Sequence, residues 1–483
     1  MFPLGYREGF SQWWAGLPAA VAEHKVLAHL PYLSHKPPTH MRTGSTADSP
    51  NSPIDSLTAE DYSQQGEVAT NSLNDPYGPR RWRSSMVELS GKNRALNEFS
   101  VERVGEDANQ HLVMLHGYGA GLGFFYKNFE ALSRLKGWQL YALDMLGMGR
   151  STRPSFKIKA KDKEEAIREA EAWFVDALEE WRVKRKIDRF TLLGHSMGGY
   201  MAVAYALKYP GHLNKLILAS PVGIPEDPYA VAADMPEPSD STLANEFTQD
   251  QQQIAESTNR LSNNNNNNNN NNYDQNRTVH NTADESDRPP RRSIPKWFAY
   301  LWDANISPFS IVRWSGPLGP RLVSGWTSRR FSHLPADEAK ALHDYSYSIF
   351  RMRGSGEYAL AYILAPGAFA RSPLIRRIQG VGRQRENGIP IVFMYGDHDW
   401  MDVNGGYASQ AKLEEEKQRV LQNATLEERE ADNGSSKVIV IKNAGHHVYL
   451  DGWEEFNQVM LEEMEDVGRR AGREHPLPPP SQP

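Results

Sequence analysis

The sequence predicts an α/β chain, with a mostly parallel central sheet and helices on both faces. Three observations predict it. Short, largely apolar runs recur at 111–115 (HLVML), 138–143 (WQLYAL), 190–193 (FTLL), 215–219 (KLILA), 391–395 (IVFMY) and 438–441 (VIVI). Strands covered on both faces read this way, without strict polar alternation. Helical patterns lie between them: in 162–184, Ala166, Ala170, Trp173, Ala177 and Trp181 recur every three or four positions among charges. Third, a glycine-framed serine at 194–199 stands where one of these strands gives way to a helix.

Taken in order, residues 1–33 are apolar and aromatic: Phe2, Tyr6, Phe10, Trp13, Trp14 and Leu17, then Ala22, Val26 and Leu30 at helical spacing. Pro18 is placed to start a short helix. Residues 34–76 are rich in Pro, Ser, Thr and Asn and are expected to be a disordered linker. The first part of the core spans 80–225. An acidic, Gln/Asn-rich insertion follows at 226–293, with ten consecutive asparagines at 263–272, and its composition predicts disorder. Residues 294–385 form an aromatic, helical lid that carries Trp297, Phe298, Tyr300, Leu301, Trp302, Trp314, Tyr345, Tyr347 and Tyr358. The second part of the core spans 386–468 and holds a charged helical stretch at about 407–432. A Pro-rich, polyproline-like tail closes the chain at 469–483.

Lys+Arg number 54 against 60 Asp+Glu, a net charge of −6, which argues against general nucleic-acid binding. With no cysteine, the chain has no disulfide, no thiolate metal site and no Cys nucleophile. No apolar run reaches the roughly 18–20 residues that span a bilayer, and residues 1–33 lack a secretory pattern. The expectation is an intracellular protein without a cofactor or metal, soluble or peripheral on a membrane. A mitochondrial address competes for the same N-terminal residues, although Arg7 is the only arginine before Arg42. Oligomeric state is left open.

The chemistry is carried by Gly194-His195-Ser196-Met197-Gly198, which fits G-x-S-x-G. A predicted strand enters it and a predicted helix, 198–208, leaves it. A serine on so sharp a turn points its oxygen outward, and the flanking residues must be small where strand and helix nearly touch. The helix N-terminus adds a free N–H for a developing oxyanion. The alternative is a glycine-rich turn with an incidental serine; the order of the partners favours a nucleophile, and with it the α/β-hydrolase fold.

Ser196 needs a base, since a hydroxyl is a poor nucleophile at neutral pH. The fold's order is Ser, acid, His. His446, in Asn443-Ala444-Gly445-His446-His447, follows the last strand and is the base, with His447 as its rival. Three carboxylates in Gly396-Asp397-His398-Asp399-Trp400-Met401-Asp402 compete to orient it. The G-x-x-D spacing favours Asp399, with Asp402 as the alternative and Asp397 bracing the turn. The oxyanion donors are assigned by position to the backbone N–H groups of Tyr118 and Met197. His116 and Asp144 are read as structural supports of the neighbouring loops.

These residues, with HGYGAGLGFFYKNF (116–129), LDMLGMGRSTRP (143–154), SPFSIVRWSGPLGP (307–320) and GHHVYLD (445–451), resemble a known α/β-hydrolase subfamily. It contains fungal cardiolipin-specific phospholipases, animal lysophospholipase-like members and a lipid-droplet lipase coactivator. The resemblance covers about 80–225 and 295–465, and the Asn-rich insertion has no counterpart in it. It implies catalytic roles for Ser196 and His446; for the acid it leaves Asp402 open, because some relatives lack a carboxylate at the Asp399 position. Coactivator-type members lack the nucleophilic serine, so Ser196 points to an active enzyme. The resemblance also implies an acyltransferase-like H-x-x-x-x-D motif, His446 to Asp451. The simpler reading is that Asp451 caps the helix after the loop.

The first expectation is therefore a phospholipid acyl hydrolase, with cardiolipin as a candidate substrate. The second is a CoA-dependent lysophospholipid (lysophosphatidic acid) acyltransferase. The third, a non-catalytic lipid-surface scaffold, is counted against by Ser196. The aromatic residues of 1–33 and of the lid suggest a lipid surface, or else ordinary docking onto the domain. Arg291, Arg292, Lys296, Arg313, Arg321, Arg329 and Arg330 are either contacts for acidic headgroups or a solvated face.

Overall fold

The computed structural model describes residues 3–32, 66–70, 73, 75–226, 305–365 and 369–474. Most of the predicted linker, nearly all of the Asn-rich insertion, Phe2, residues 297–302 of the lid and the tail beyond 474 lie outside the described residues.

Nine strands among the described residues form one sheet: β1 (Gly66–Ala69), β2 (Arg80–Glu88), β3 (Ala95–Arg103), β4 (Gln110–Leu115), β5 (Trp138–Leu143), β6 (Phe190–His195), β7 (Leu213–Ala219), β8 (Pro390–Gly396) and β9 (Ser435–Ile441). Their spatial order is β1-β2-β3-β5-β4-β6-β7-β8-β9. From β5 to β9 every pair is parallel, and β1, β2 and β3 add an antiparallel margin. Each apolar run picked from the sequence is one of the six strands β4 to β9. The helices are α1 (Tyr6–Ala15), α2 (Ala19–Leu27), α3 (Tyr126–Leu132), α4 (Lys163–Lys184), α5 (Met197–Lys208), α6 (Pro308–Trp314), α7 (Gly319–Arg330), α8 (Ala336–Phe350), α9 (Leu360–Ile363), α10 (Val403–Gln422), α11 (Leu426–Ala431), α12 (Val448–Asp451) and α13 (Trp453–Glu474).

Side chains alternate across a strand, so each apolar strand feeds two cores. Val113 and Leu115 of β4 join α4 and α5 through Phe174, Trp181, Tyr200 and Tyr205. Leu112 and Met114 face the other way and join α2, α3, α8 and α13 through Val26, Phe129, Tyr345 and Phe456. α4 starts where Asp162 accepts a hydrogen bond from the Glu165 N–H, with Glu164 and Glu165 in the first turn.

The first thirty residues divide in a way the sequence reading did not separate. α2 is core: Ala19, Ala20, Ala22, Val26 and Leu27 are buried. It carries Glu23, fully buried, onto Arg150 of the loop after β5. α1 instead lies on the lid, its Gly9 close to Arg321 of α7 and to the Pro317 carbonyl. Tyr6, Phe10 and Trp14 of α1 face outward, 69%, 50% and 76% exposed, and on the lid Trp314, Leu318 and Leu322 are also exposed. Tyr345 and Tyr347 of the lid are core residues, which settles them as packing.

Candidate active site

The carboxyl ends of four parallel strands, β4, β6, β8 and β9, converge on one place. Ser196 follows β6 directly and caps α5, with φ +51° and ψ −116°. That φ lies where L residues rarely sit, and such strain persists only when the surroundings enforce it. They do. A Cβ on Gly194 would stand 2.3 Å from the Gly198 carbonyl oxygen, and one on Gly198 would stand 2.6 Å from that of His116. The Ser196 N–H donates to the Ala219 carbonyl at 3.0 Å, and the Ser196 carbonyl accepts from the Gly199 N–H at 2.9 Å. Met197 opens α5, so its N–H has no carbonyl one turn back within the helix.

His446 is fully buried after β9. Its Nδ1 lies 3.0 Å from Asp399 Oδ1, on the loop after β8, and both side chains are closed to solvent. An ionised carboxylate only accepts, so Nδ1–H donates and the lone pair is left on Nε2. The Met401 N–H also donates to Asp399 Oδ1, at 3.0 Å. Trp400 packs its ring against His446, centroids 4.8 Å apart. The His195 Nε2–H donates to the His446 carbonyl at 3.0 Å, tying the residue before the serine to the histidine loop. Burial, with His446 beside it, holds His195 well below the usual histidine range, so it stays neutral.

The rival residues stand elsewhere. Asp402 caps α10, accepting from the Asn404 N–H at 2.9 Å, and is exposed. Asp397 accepts from the Ala444 N–H at 3.0 Å and braces the turn. His447 accepts from Arg330 Nε–H at 3.1 Å; burial and that guanidinium keep it well below the usual histidine range. Asp451 corrects the sequence reading. It ends α12 rather than capping it, and it faces neither the helix N-terminus nor the His446 ring. It takes a two-pronged grip from Arg330, at 2.9 and 3.0 Å. Arg330 is thus 2% exposed, and Arg313 pairs with Glu357, so neither belongs to a solvated basic face. Arg321 lies over the Tyr6 ring, 3.8 Å from its centroid. Arg291, Arg292 and Lys296 lie outside the described residues.

The loop after β4 closes the site. A Cβ on Gly117 would meet Ser196 Cβ at 3.0 Å, so the loop that carries Tyr118 lies directly on the elbow. The Tyr118 ring stacks on Phe309 of the lid, centroids 5.1 Å apart. His116 accepts from the Met145 N–H at 3.1 Å and contacts the Gly117 carbonyl through Nδ1. Asp144 accepts from the N–H groups of Leu122 and Arg150, each at 2.7 Å. Both are loop supports. Sequence reasoning missed His195, Trp400 and Arg330. His195 carried a signal in its place beside Ser196; the other two carried none. Among the described residues no cluster of His, Asp or Glu is arranged to hold a metal ion.

A family model described as the alpha/beta hydrolase fold matches residues 110–452. A 1-acylglycerol-3-phosphate O-acyltransferase of Arabidopsis thaliana is 31% identical over 79% of this chain and 71% of its own. The Mus musculus 1-acylglycerol-3-phosphate O-acyltransferase ABHD5 is 30% identical over 80% and 85%. The Saccharomyces cerevisiae 1-acylglycerol-3-phosphate O-acyltransferase ICT1 is 24% identical over 71% and 79%. Among solved structures, an esterase from Exiguobacterium antarcticum aligns over 79% of this chain and 99% of its own, at 15% identity and a TM-score of 0.45. A family match through most of the chain, together with relatives this similar across four-fifths of it, leads to one conclusion: the chain belongs to the α/β-hydrolase family, in the lipid-related branch that holds these relatives.

Proposed function

We propose that this chain is a serine acyltransferase that passes a fatty acyl group through Ser196 to the free hydroxyl of a 1-acylglycerol 3-phosphate. The observation that carries the reading is the buried His446–Asp399 pair beside the Ser196 elbow, in a chain whose relatives at 30–31% identity bear that activity in their names.

In the first half-reaction, Ser196 Oγ attacks the thioester carbonyl of an acyl-CoA and His446 Nε2 takes the hydroxyl proton. The oxyanion lies against the N–H groups of Tyr118 and Met197. Asp399 holds the imidazolium. Collapse breaks the C–S bond, and the thiolate leaves with the proton from His446. In the second, the acceptor hydroxyl gives its proton to His446 and attacks the acyl-serine. Ser196 leaves and recovers that proton.

With a phospholipid ester as the acyl donor and its lysophospholipid as the leaving group, water can take the acceptor's place, which gives phospholipid deacylation, the second reading. It is favoured by Asp451, whose carboxylate is bound to Arg330 and offers no second base for an acceptor. The relatives described above are named for lysophosphatidate, so cardiolipin is the weaker candidate for either reaction. Ser196 on its turn and the buried His446–Asp399 pair count against a scaffold role. A peripheral lipid surface is supported by the outward aromatics of α1 and by the exposed Trp314 and Leu318 of the lid, and no helix among the described residues is long and apolar enough to cross a membrane.

The test incubates pure protein with lysophosphatidate and labelled acyl-CoA, and separately with phospholipids, followed by lipid mass spectrometry. Phosphatidate should form and should fall by several orders of magnitude in Ser196→Ala. Phosphatidate formation that survives the substitution would overturn the acyl-enzyme.

A further inference from the structure

We propose that Arg330 and Asp451 are positioning residues that hold the His446 loop in register with Ser196 from the lid side, and that Asp451 takes no direct part in acyl transfer. The proposal rests on the acyl-enzyme reading above.

The residues on either side of His446 are both tied to one ion pair. The Gly445 N–H donates to Asp451 Oδ2 at 3.2 Å. The His447 ring accepts from Arg330 Nε–H at 3.1 Å. Arg330 then closes the loop on itself by donating Nη1–H and Nη2–H to the two oxygens of Asp451, at 2.9 and 3.0 Å. His195 holds the carbonyl of His446 itself, at 3.0 Å. Three successive residues are therefore fixed, and the imidazole they carry has little freedom to leave the Asp399 line.

The same contacts remove Asp451 from chemistry. Its oxygens face two guanidinium N–H groups, one backbone N–H and His333 Nε2, which lies 3.3 Å from Oδ1. A carboxylate offers about four lone-pair sites, and three of these accept hydrogen bonds from Arg330 and the Gly445 N–H. The Nδ1 that an orienting acid would need is held by Asp399. The H-x-x-x-x-D spacing places a carboxylate at the far end of a short helix, where it meets Arg330 rather than His446.

Arg330 ends α7, a lid helix. Its fork is the right shape for the work: planar, always charged and matched to a carboxylate in two-pronged geometry. Both partners are nearly closed to solvent, 2% and 7% exposed, so the pair is little screened. The consequence is a mechanical link between lid and base. A lid that moved α7 would pull on Gly445 and His447 together.

The experiment compares Arg330→Met, Asp451→Ala and Asp451→Asn with the full-length wild type. It follows thermal unfolding, the rate of Ser196 labelling by a fluorophosphonate, and kcat and KM for both ester hydrolysis and transfer to lysophosphatidate. Arg330→Met and Asp451→Ala should lower labelling and both kcat values together, by about tenfold to a hundredfold, as expected for a misplaced base. KM should stay unchanged. Asp451→Asn keeps an acceptor for the Gly445 N–H, and it should recover most of the rate in folded protein. Three outcomes overturn the proposal. Selective loss of transfer in Asp451→Asn, with labelling and hydrolysis intact, makes Asp451 the transfer acid. A labelled wild type whose variants are labelled equally fast removes the positioning role alone. An unlabelled wild type removes the acyl-enzyme reading, and the positioning role falls with it.

Discussion

At Ser196 the backbone adopts a conformation that costs on the order of 1–3 kcal/mol, and the glycines on both sides of the turn leave it nowhere else to go. That single residue was legible because its chemistry dictates its neighbours: small residues where the strand meets the helix, then an acid and a histidine in fixed order. The acid was less legible. Asp399 and Asp402 are three positions apart, and spacing cannot tell a carboxylate turned inward from one turned to a helix N-terminus. The structure turns Asp399 to His446 and Asp402 to Asn404. Asp399→Asn should therefore lower kcat/KM by roughly 10⁴-fold, the scale seen when a triad acid becomes an amide. Asp402→Asn keeps a good helix cap and should leave kcat/KM nearly unchanged. The reverse ranking in steady-state kinetics would give the role to Asp402. Arg330 was illegible for another reason. It sits in a basic stretch of sequence, and nothing local says that its partner is Asp451, 121 positions away.

The parallel strands announced themselves as elements, because a strand covered on both faces has no polar side to interrupt its pattern. β2 and β3 did not. RRWRSSMVE and ALNEFSVER mix charge with apolar residues for different reasons: β2 lies toward the sheet margin and alternates between buried and half-buried positions, whereas β3 is mostly buried and holds Glu98 against Trp181 and Arg185. α1 and α2 looked alike in sequence and differ in fate. α2 buries Glu23 against Arg150, Asn97 and Tyr345, and burial lifts this acid to about 7 despite the guanidinium. Asp144 beside it pushes the same way. A raised acid binds its proton more tightly folded than unfolded. Its stabilising effect is therefore complete below pH 4.5 and is lost as pH rises through about 7, on the order of 3 kcal/mol at most. Hydrogen exchange in α2 should accordingly speed up between pH 5 and pH 8, beyond the intrinsic rate change, and Glu23→Gln should flatten that trend. An equal trend in the variant would assign it to other groups. α1 carries the lipid prediction. Removal of residues 1–16, or Trp13→Ala with Trp14→Ala, should weaken flotation with anionic liposomes and leave the melting temperature nearly unchanged. Full burial of one such side chain is worth roughly 1.5–3 kcal/mol. Unchanged flotation would move the contact to Trp314 and its neighbours. A longer cut through residue 33 is a poorer test, since it also takes core residues Val26 and Leu27.

For the whole molecule, the sequence divides its labour between two core segments and the lid that interrupts them. Residues 240–285 hold few apolar residues to bury against their ordering entropy. Their deletion should leave the melting temperature and activity close to wild type; a large fall would mean that they pack on the domain. The overall topology was readable because the order of apolar strands, serine, acid and histidine is itself a statement about which strand ends meet. How the lid and the first helices close over that core was not, since those contacts join residues that sequence separates by hundreds of positions. Glu23 meets Tyr345 across 322 of them. During synthesis at roughly 5–20 residues per second, α2 emerges from the ribosome roughly a quarter of a minute to a minute before the helix it will rest on. Through that interval Val26 and Leu27 lack the α8 side of their packing, while the residues of β4 and α3 in the same core have already been made. α2 can therefore complete its packing only once the lid has been made.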